Sequence, residues 1–312
     1  MIVEKLITSR SIIGDFYLAL EQNLGASWVD PISQKFDSDQ ESEEYAWLGQ
    51  APAMREWVGG RQAKGLRENG IVVKNKKFEA TLEIPVDWMR RDKTGQIQMR
   101  INEMARRANA HWAGLLSPLI LNGAASVCYD GQYYFDTDHA EGDSGQQSNS
   151  VGASASSATA PTAAEFETAV LKGVEKIIGQ KDDQGEPMNE EATQFLIMVP
   201  VSMMASAAAA LKNPVIVDGS GSRTNTLTNI GGFNFELAVN PRLSAWTDKF
   251  AMFRTDGGGA PLIRQEEEDL MVSAIAEGSE LEFNEDVHHY GIKAMRNVAY
   301  GYWQHALLTT FS

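Results

Sequence analysis

The chain has 312 residues, 43% of them hydrophobic, enough for a real core in one large domain or two ordinary ones. Its net charge of −15 excludes a generic nucleic-acid binder, which needs basic surface to displace counterions from phosphates. The lone cysteine, Cys128, excludes an intrachain disulfide and points to a cytosolic history; no signal peptide is legible, and no apolar run nears the ~18 residues of a membrane span.

Residues 1–25 predict a short amphipathic helix through Ile12, Ile13, Phe16, Leu18 and Leu20. Residues 36–45 are acidic with little to bury, so they read as an arm that is solvated or held by a partner surface. Within 46–86 a glycine- and charge-rich tip at 59–70 leads into Phe78, Ala80, Leu82 and Ile84, alternating with Lys77, Glu79, Thr81 and Glu83. Period two with one polar face predicts a half-exposed strand. With Met54, Trp57 and Val58 before the tip, the simplest construction is a long hairpin. Its charge opposes that of the chain: Arg55, Arg61, Lys64, Arg67, Lys74, Lys76 and Lys77 stand against Glu56, Glu68, Glu79 and Glu83. Such a hairpin is expected to lie on another subunit, with those seven cations as contact residues and the 36–45 arm or the 266–286 acidic run as what they meet.

The clearest helical period lies in 92–122, where Ile97, Ile101, Met104, Ala105, Ala108, Trp112, Leu115, Leu116 and Leu119 form one stripe and Arg100, Arg106, Arg107 and His111 fall off it. One helix of ~25 residues and ~38 Å is expected. Asp92 or Thr94 can cap it, Pro118 should kink its last turns and Gly123 can end it.

Residues 129–145, YDGQYYFDTDHAEGDSG, concentrate groups that do chemistry. A calcium loop opening at Asp136 and Asp138 fails because Ala140 and Glu141 occupy the places of the next oxygen ligand and the turn glycine. Ser144 lacks an evident histidine base held by a separate carboxylate, and a zinc site would need more nitrogen or sulfur donors than His139. The stretch reads as a structural loop whose base is buried by Tyr129, Tyr133, Tyr134 and Phe135 while its acidic tip stays wet. No catalytic, cofactor or metal residue is assigned. The competing reading is a metal-dependent hydrolase or binding protein using Asp130, Asp136, Asp138 and His139 in the acidic loop 130–143.

Residues 148–164 have the small-residue composition of a linker. Thr162 and Glu165 then form a capping box for a helix with Phe166, Val170, Val174, Ile177 and Ile178 inward, closed by Gly179. Residues 195–199, FLIMV, read as a buried strand, and Pro200 opens another helix. VIVDGSGSR at 215–223 approaches a dinucleotide-binding turn, but Thr224 stands where the third glycine belongs and no helix start follows. Strands are expected at 233–239, 249–253, 269–275 and 287–307. The acidic run Glu266 to Asp286 is either a solvated face or a docking surface.

Taken in order, an acidic arm, a long basic-tipped hairpin, a long amphipathic helix, a mixed unit and returning strands resemble viral major capsid proteins of the Hong Kong 97 type, and more narrowly the major head subunit (gpT) family of Mu-like phages and prophages. The stretches that carry the resemblance are MREWVGGR (54–61), NKKFEATLEIPVDWMRRDKTG (75–95), CYDGQYYFDTDH (128–139) and YGIKAMRNVAYGYWQHALLTTF (290–311). The resemblance implies an α+β capsid fold with an N-terminal helix and arm (1–45), an extended E-loop hairpin (46–86), a peripheral domain with a spine helix (87–149), an axial domain (150–260) and return strands (261–312). It implies self-assembly into hexamers and pentamers of an icosahedral phage head around double-stranded DNA, with scaffolding and portal proteins as partners, no sequence-specific DNA binding, no membrane and no catalysis. Assembly is then expected in the bacterial host cytoplasm. Some relatives crosslink their E-loops through a lysine, an asparagine and a glutamate; Lys64 lies near the tip but the other partners find no match, so that chemistry is not carried over.

Overall fold

The computed structural model describes residues 8–23, 25–45, 70–92, 95–219 and 221–312. Its first element is helix α1 (Ser9–Gln22), opened by a capping box in which Thr8 and Ser11 satisfy each other's backbone amides. A short helix α2 (Val29–Ile32) leads into strand β1 (Ser33–Asp37), and then come β2 (Ser42–Tyr45), β3 (Ile71–Lys74) and β4 (Lys76–Pro85). Helices α3 (Val86–Arg91), α4 (Gln96–Asn109) and α5 (His111–Leu121) follow. The loop after α5 carries two-residue strands β5 (His139–Ala140) and β6 (Gln146–Gln147), and then comes β7 (Ser150–Ala153). The next part contains α6 (Ala163–Ile178), β8 (Gln194–Val199), α7 (Met204–Lys212), β9 (Val215–Asp218), β10 (Gly221–Thr224), α8 (Thr226–Asn229), β11 (Asn234–Val239) and β12 (Lys249–Arg254). The chain closes with β13 (Leu262–Ile275), α9 (Glu280–Glu285), β14 (Val287–Tyr300) and β15 (Ala306–Phe311).

Two sheets organise these elements. A five-stranded sheet runs β11-β8-β12-β15-β7 and is buried on both sides. Phe195, Ile197 and Val199 of β8 face a core with Phe166 and Val170 of α6, while Leu196 and Met198 face a second core with Leu116 and Ile120 of α5. A strand covered on both faces has no polar side to offer, which is why FLIMV is an unbroken apolar run. A four-stranded sheet runs β1-β13-β14-β4, and its β4–β14 end carries a third core in which Ile84, Tyr290 and Ile292 meet Ile12 and Phe16 of α1 and Ile97, Ile101 and Ala105 of α4. Strand β14 joins the two regions, since Tyr300 at its far end belongs to the core beneath α5.

Many local expectations hold. Asp92 accepts from the amides of Gln96 and Ile97 at 3.1 and 2.9 Å, and Thr162 and Glu165 complete the capping box of α6. Residues 215–223 form an antiparallel hairpin of β9 and β10 rather than a strand leading into a glycine turn and helix, although, against expectation, the short helix α8 opens just after it at Thr226, capped by Asn225.

Four expectations need correction. The helix expected over 92–122 is broken at Ala110 (φ −73°, ψ −5°) into α4 and α5. Beside the break the Asn109 amide donates to the carbonyls of Leu20 and Asn23, closing the end of α1, and Pro118 sits within α5. The 36–45 arm keeps most of its side chains in solvent, as expected, but its backbone is not free: Phe36 and Asp37 at the end of β1 pair in parallel with β13, and β2 pairs antiparallel with β3. The strand after the hairpin tip likewise lies on its own chain, β4 pairing with β14 from Lys76↔Arg296 to Pro85↔Val287. The composition of 148–164 suggested a linker, yet 150–153 is β7, an edge strand parallel to β15. The ascending limb and tip of the expected hairpin, with Arg55, Arg61, Lys64 and Arg67, lie outside the described residues.

Candidate functional site

The loop after α5 is built as a clasp. Gly131 (φ 87°) makes its first turn, where the Cys128 amide donates to the Gln132 carbonyl at 2.8 Å. That turn places Asp130 under His139: His139 Nδ1 lies 2.6 Å from an Asp130 carboxylate oxygen, the Cys128 thiol donates to the other at 2.9 Å, and the Gln132 amide adds a third contact at 3.1 Å. The His139 ring stacks on Trp303, centroids 3.9 Å apart and planes within 6°. Its Nε2 lies 3.2 Å from Asn149 Oδ1, while the Asn149 amide donates to the carbonyls of Tyr134 and Trp303.

The acidic tip is wet at Asp138 and Asp143, as expected, but the side chains of Asp130 and His139 are 2% and 0% exposed, and Tyr133, expected to bury the base, is itself exposed. Burial pushes the Asp130 carboxyl up, but the hydrogen bonds from His139 and Cys128 outweigh it and hold it below the usual range. Burial first, and then the Asp130 charge, push the Cys128 thiol well up, so it is neutral and a poor nucleophile.

Cys128, Asp130 and His139 have their donor atoms within 4.8 Å of one another, a set that chemically could ligate a metal. Their geometry does not fit one. Ligands at ~2.0–2.3 Å around a tetrahedral ion stand more than ~3 Å apart, whereas Asp130 here contacts both others directly. Asp136 and Asp138, the remaining residues of the hydrolase reading, do not join this set: Asp136 accepts from the amides of Tyr133 and Thr137, and Asp138 is exposed. Ser144 accepts from the Glu141 amide and donates to the Gly145 carbonyl, as a turn residue does.

Sequence reading missed Glu141. Its carboxylate accepts from the Gln304 amide at 3.0 Å, and Gln304 in turn accepts from the Tyr129 hydroxyl at 3.1 Å. Burial, with the nearby Asp130 and Asp183 carboxylates, pushes Glu141 up to about 7 against the opposing hydrogen bonds of Tyr129 and Gln304. No signal in the sequence marks it: Glu141 lies between Ala140 and Gly142, twelve residues from Tyr129, and its partner Gln304 comes from the far end of the chain.

A second charged cluster surrounds Trp112. The guanidinium groups of Arg296 and Arg264 lie 4.7 and 5.5 Å from its ring centroid. Arg264 pairs with Asp30 at 2.7 Å, and Glu266 is held between Lys35 and Arg296. The acidic run thus begins inside the molecule, although burial keeps the Glu266 carboxyl above the usual range despite Lys35. Of the contact residues expected on the hairpin, Lys74 pairs with Glu41 of its own chain at 2.7 Å, and Lys76 and Lys77 are exposed.

Between α4 and the β4–β14 part of the sheet lies a groove of about 450 Å³. Leu82, Met104, Ala108, Ile292 and Ala294 give it an apolar floor, and Arg100, Arg107 and Lys293 stand on its rim.

A double-covered sheet, a second sheet covered by α1 and α4, and a return strand joining them define the class: the α+β fold of phage capsid subunits, Hong Kong 97-like. The procapsid of bacteriophage JBD30 is similar over 97% of this chain and 76% of that one, with TM-score 0.54 and 23% identity. The capsid of Cyanophage P-SCSP1u is similar over 93% and 89%, with TM-score 0.57 and 12% identity. In sequence, residues 10–166 match the model of the Mu-like prophage major head subunit gpT, and the chain belongs to that family. It is 36% identical over 111 residues to the Mu-like prophage FluMu major head subunit of Haemophilus influenzae, and 34% identical over 125 residues to the major capsid protein of Escherichia phage Mu. Those aligned stretches span 36% and 40% of the respective relatives, and the same shares of this chain.

Proposed function

We propose that this chain is the major subunit of a Mu-like phage head, assembling as hexamers and pentamers into an icosahedral shell around double-stranded DNA and performing no catalysis. The observation that carries this is the capsid fold over nearly the full chain, together with family membership. The loop that looked most like an active site supports it from the other side, because its histidine, aspartate and cysteine are buried and spent on one another. In this reading 46–86 is the extended E-loop, 87–149 the peripheral domain with its spine helix, 150–260 the axial domain and 261–312 the return strands, β15 ending in the five-stranded sheet. The seven hairpin cations, Arg55, Arg61, Lys64, Arg67, Lys74, Lys76 and Lys77, act between subunits as an electrostatic latch, in which many weak exposed pairs add through repetition. Scaffolding and portal proteins are the partners, assembly takes place in the host cytoplasm, and the net charge of −15 lets packaged DNA lie inside without adhering to the wall.

Electron microscopy of the purified protein, alone and with its scaffold, is the test. Shells are expected, and the combined substitution Arg61→Glu, Lys64→Glu and Arg67→Glu should abolish them while leaving thermal melting unchanged. A monomer at every concentration and salt would overturn the shell reading; normal shells from the triple variant would overturn only the latch.

A further inference from the structure

The surface carries a knob as well as a groove. Helix α9 packs at the start of β14, held there by the Val86 amide donating to the Asp286 carbonyl at 3.0 Å and by Ser279, which accepts from the Glu282 amide. From it Phe283 projects 89% exposed, the most exposed large apolar side chain among the described residues. Acids flank it in the sequence: Glu280, Glu285 and Asp286, together with Glu282, which also meets the Gly278 amide and His288, and Glu277, which accepts from the Ser9 amide. Single exposed apolar residues are ordinary on a protein surface; what sets Phe283 apart is the degree of its exposure and its place on a folded, capped helix rich in acids.

The groove complements it in shape and in the excess of its charge: Arg100, Arg107, Lys293 and Arg296 line it against the two acids Glu79 and Glu103. It is concave where α9 is convex, and its floor is aliphatic. Its rim carries Arg100 and Arg107, which share the single carboxylate of Glu103, and Lys293, which pairs with Glu268. Phe283 cannot enter the groove of its own chain. Val287, the first residue of β14 just after α9, and Ile292, on the groove floor, are five residues apart on one strand, about 17 Å at strand rise. The basic hairpin tip is a poor occupant, since Arg61, Lys64 and Arg67 would meet cations on the rim.

We propose that α9 of one copy docks in the α4–β4–β14 groove of a second copy, Phe283 on the apolar floor and the acids of α9 against the arginine and lysine rim. The contact is heterologous, one surface of each copy meeting a different surface of the next, the type that generates rings where the rotation closes and filaments where it does not, rather than isolated dimers. It deepens the shell reading and rests on it. It also gives the later part of the acidic run a role distinct from that of Glu266, which is spent within the subunit.

The experiment places a photoreactive benzoylphenylalanine at position 283 and, in parallel, makes Phe283→Ala. Irradiated assemblies should give an adduct between copies that maps to 76–85, 96–109 or 287–300. Phe283→Ala should fold as the parent does and weaken each contact by roughly ten- to a hundredfold, raising the concentration needed for assembly. Hydrogen exchange on the unmodified protein covers the case in which the probe itself blocks assembly: 280–285 and 100–108 should gain protection together on assembly. Adducts mapping elsewhere, shells from Phe283→Ala at the parent concentration, or protection of one segment without the other would each overturn the proposal. Shell formation by the parent protein is scored separately, so a failure of the shell reading is distinguishable from a failure of this contact.

Discussion

Replacing Glu141 by glutamine should make the protein more stable at pH 8 and leave it nearly unchanged at pH 5. The carboxyl sits at about 7 in the folded protein against an ordinary value of 4.5, because burial and the neighbouring Asp130 and Asp183 penalise its charged form. Between those values the folded chain holds a proton that the unfolded chain has released, so stability falls as pH rises through the window from about 4.5 to about 7 and is lowest above it. A shift of that size corresponds to ~3 kcal/mol at most. Partial solvent access reduces it to an expected ~1–2 kcal/mol at pH 8, which is ~2–3 °C in melting temperature for a chain of this length. Glutamine keeps an acceptor for Gln304, so the hydrogen bond at 3.0 Å survives while the charge is removed. The assay is thermal and urea unfolding of unassembled subunits from pH 5 to 8.5. Equal pH dependence in parent and variant, or a variant less stable than the parent at pH 8, would refute the reasoning.

Asp130→Asn should cost ~2–4 kcal/mol, because it removes the charge that holds the His139 and Cys128 hydrogen bonds in a site closed to water; urea unfolding reads the loss, and a change below ~1 kcal/mol would show that the clasp is not a stability element. Gly301→Ala should destabilise by ~1–3 kcal/mol, since a Cβ there would press into the backbone carbonyl of Ala260, which has no rotamer to yield; a wild-type melting curve would count against the close approach of the two chains.

How much of this could be read without a structure depends on the range of the interaction that decided it. The stripe Ile97, Ile101, Ala105, Ala108 and the box Thr162–Glu165 are settled by residues within one or two turns, so their periodicity and spacing were sufficient. The family resemblance was legible for a related reason, the order of segments being itself a property of the sequence. The fate of the acidic loop was not legible. Asp130 and His139 are hydrophilic residues in a hydrophilic stretch, and only Trp303 and Asn149, brought over them by the fold, take them out of water. The exposure of the arm at 36–45 followed from its composition, which has little to bury, but its pairing with β13 and β3 did not, because strand pairing does not depend on side-chain hydrophobicity. Phe283 and the basic-rimmed groove were equally out of reach, because exposure is a property of the surface and not of the chain. The sequence by itself determined the local elements, the sign of the charge and the kind of molecule; tertiary structure alone decided which polar groups are buried, which strands meet, and which apolar side chains are left exposed, because each of those depends on residues far apart in the chain.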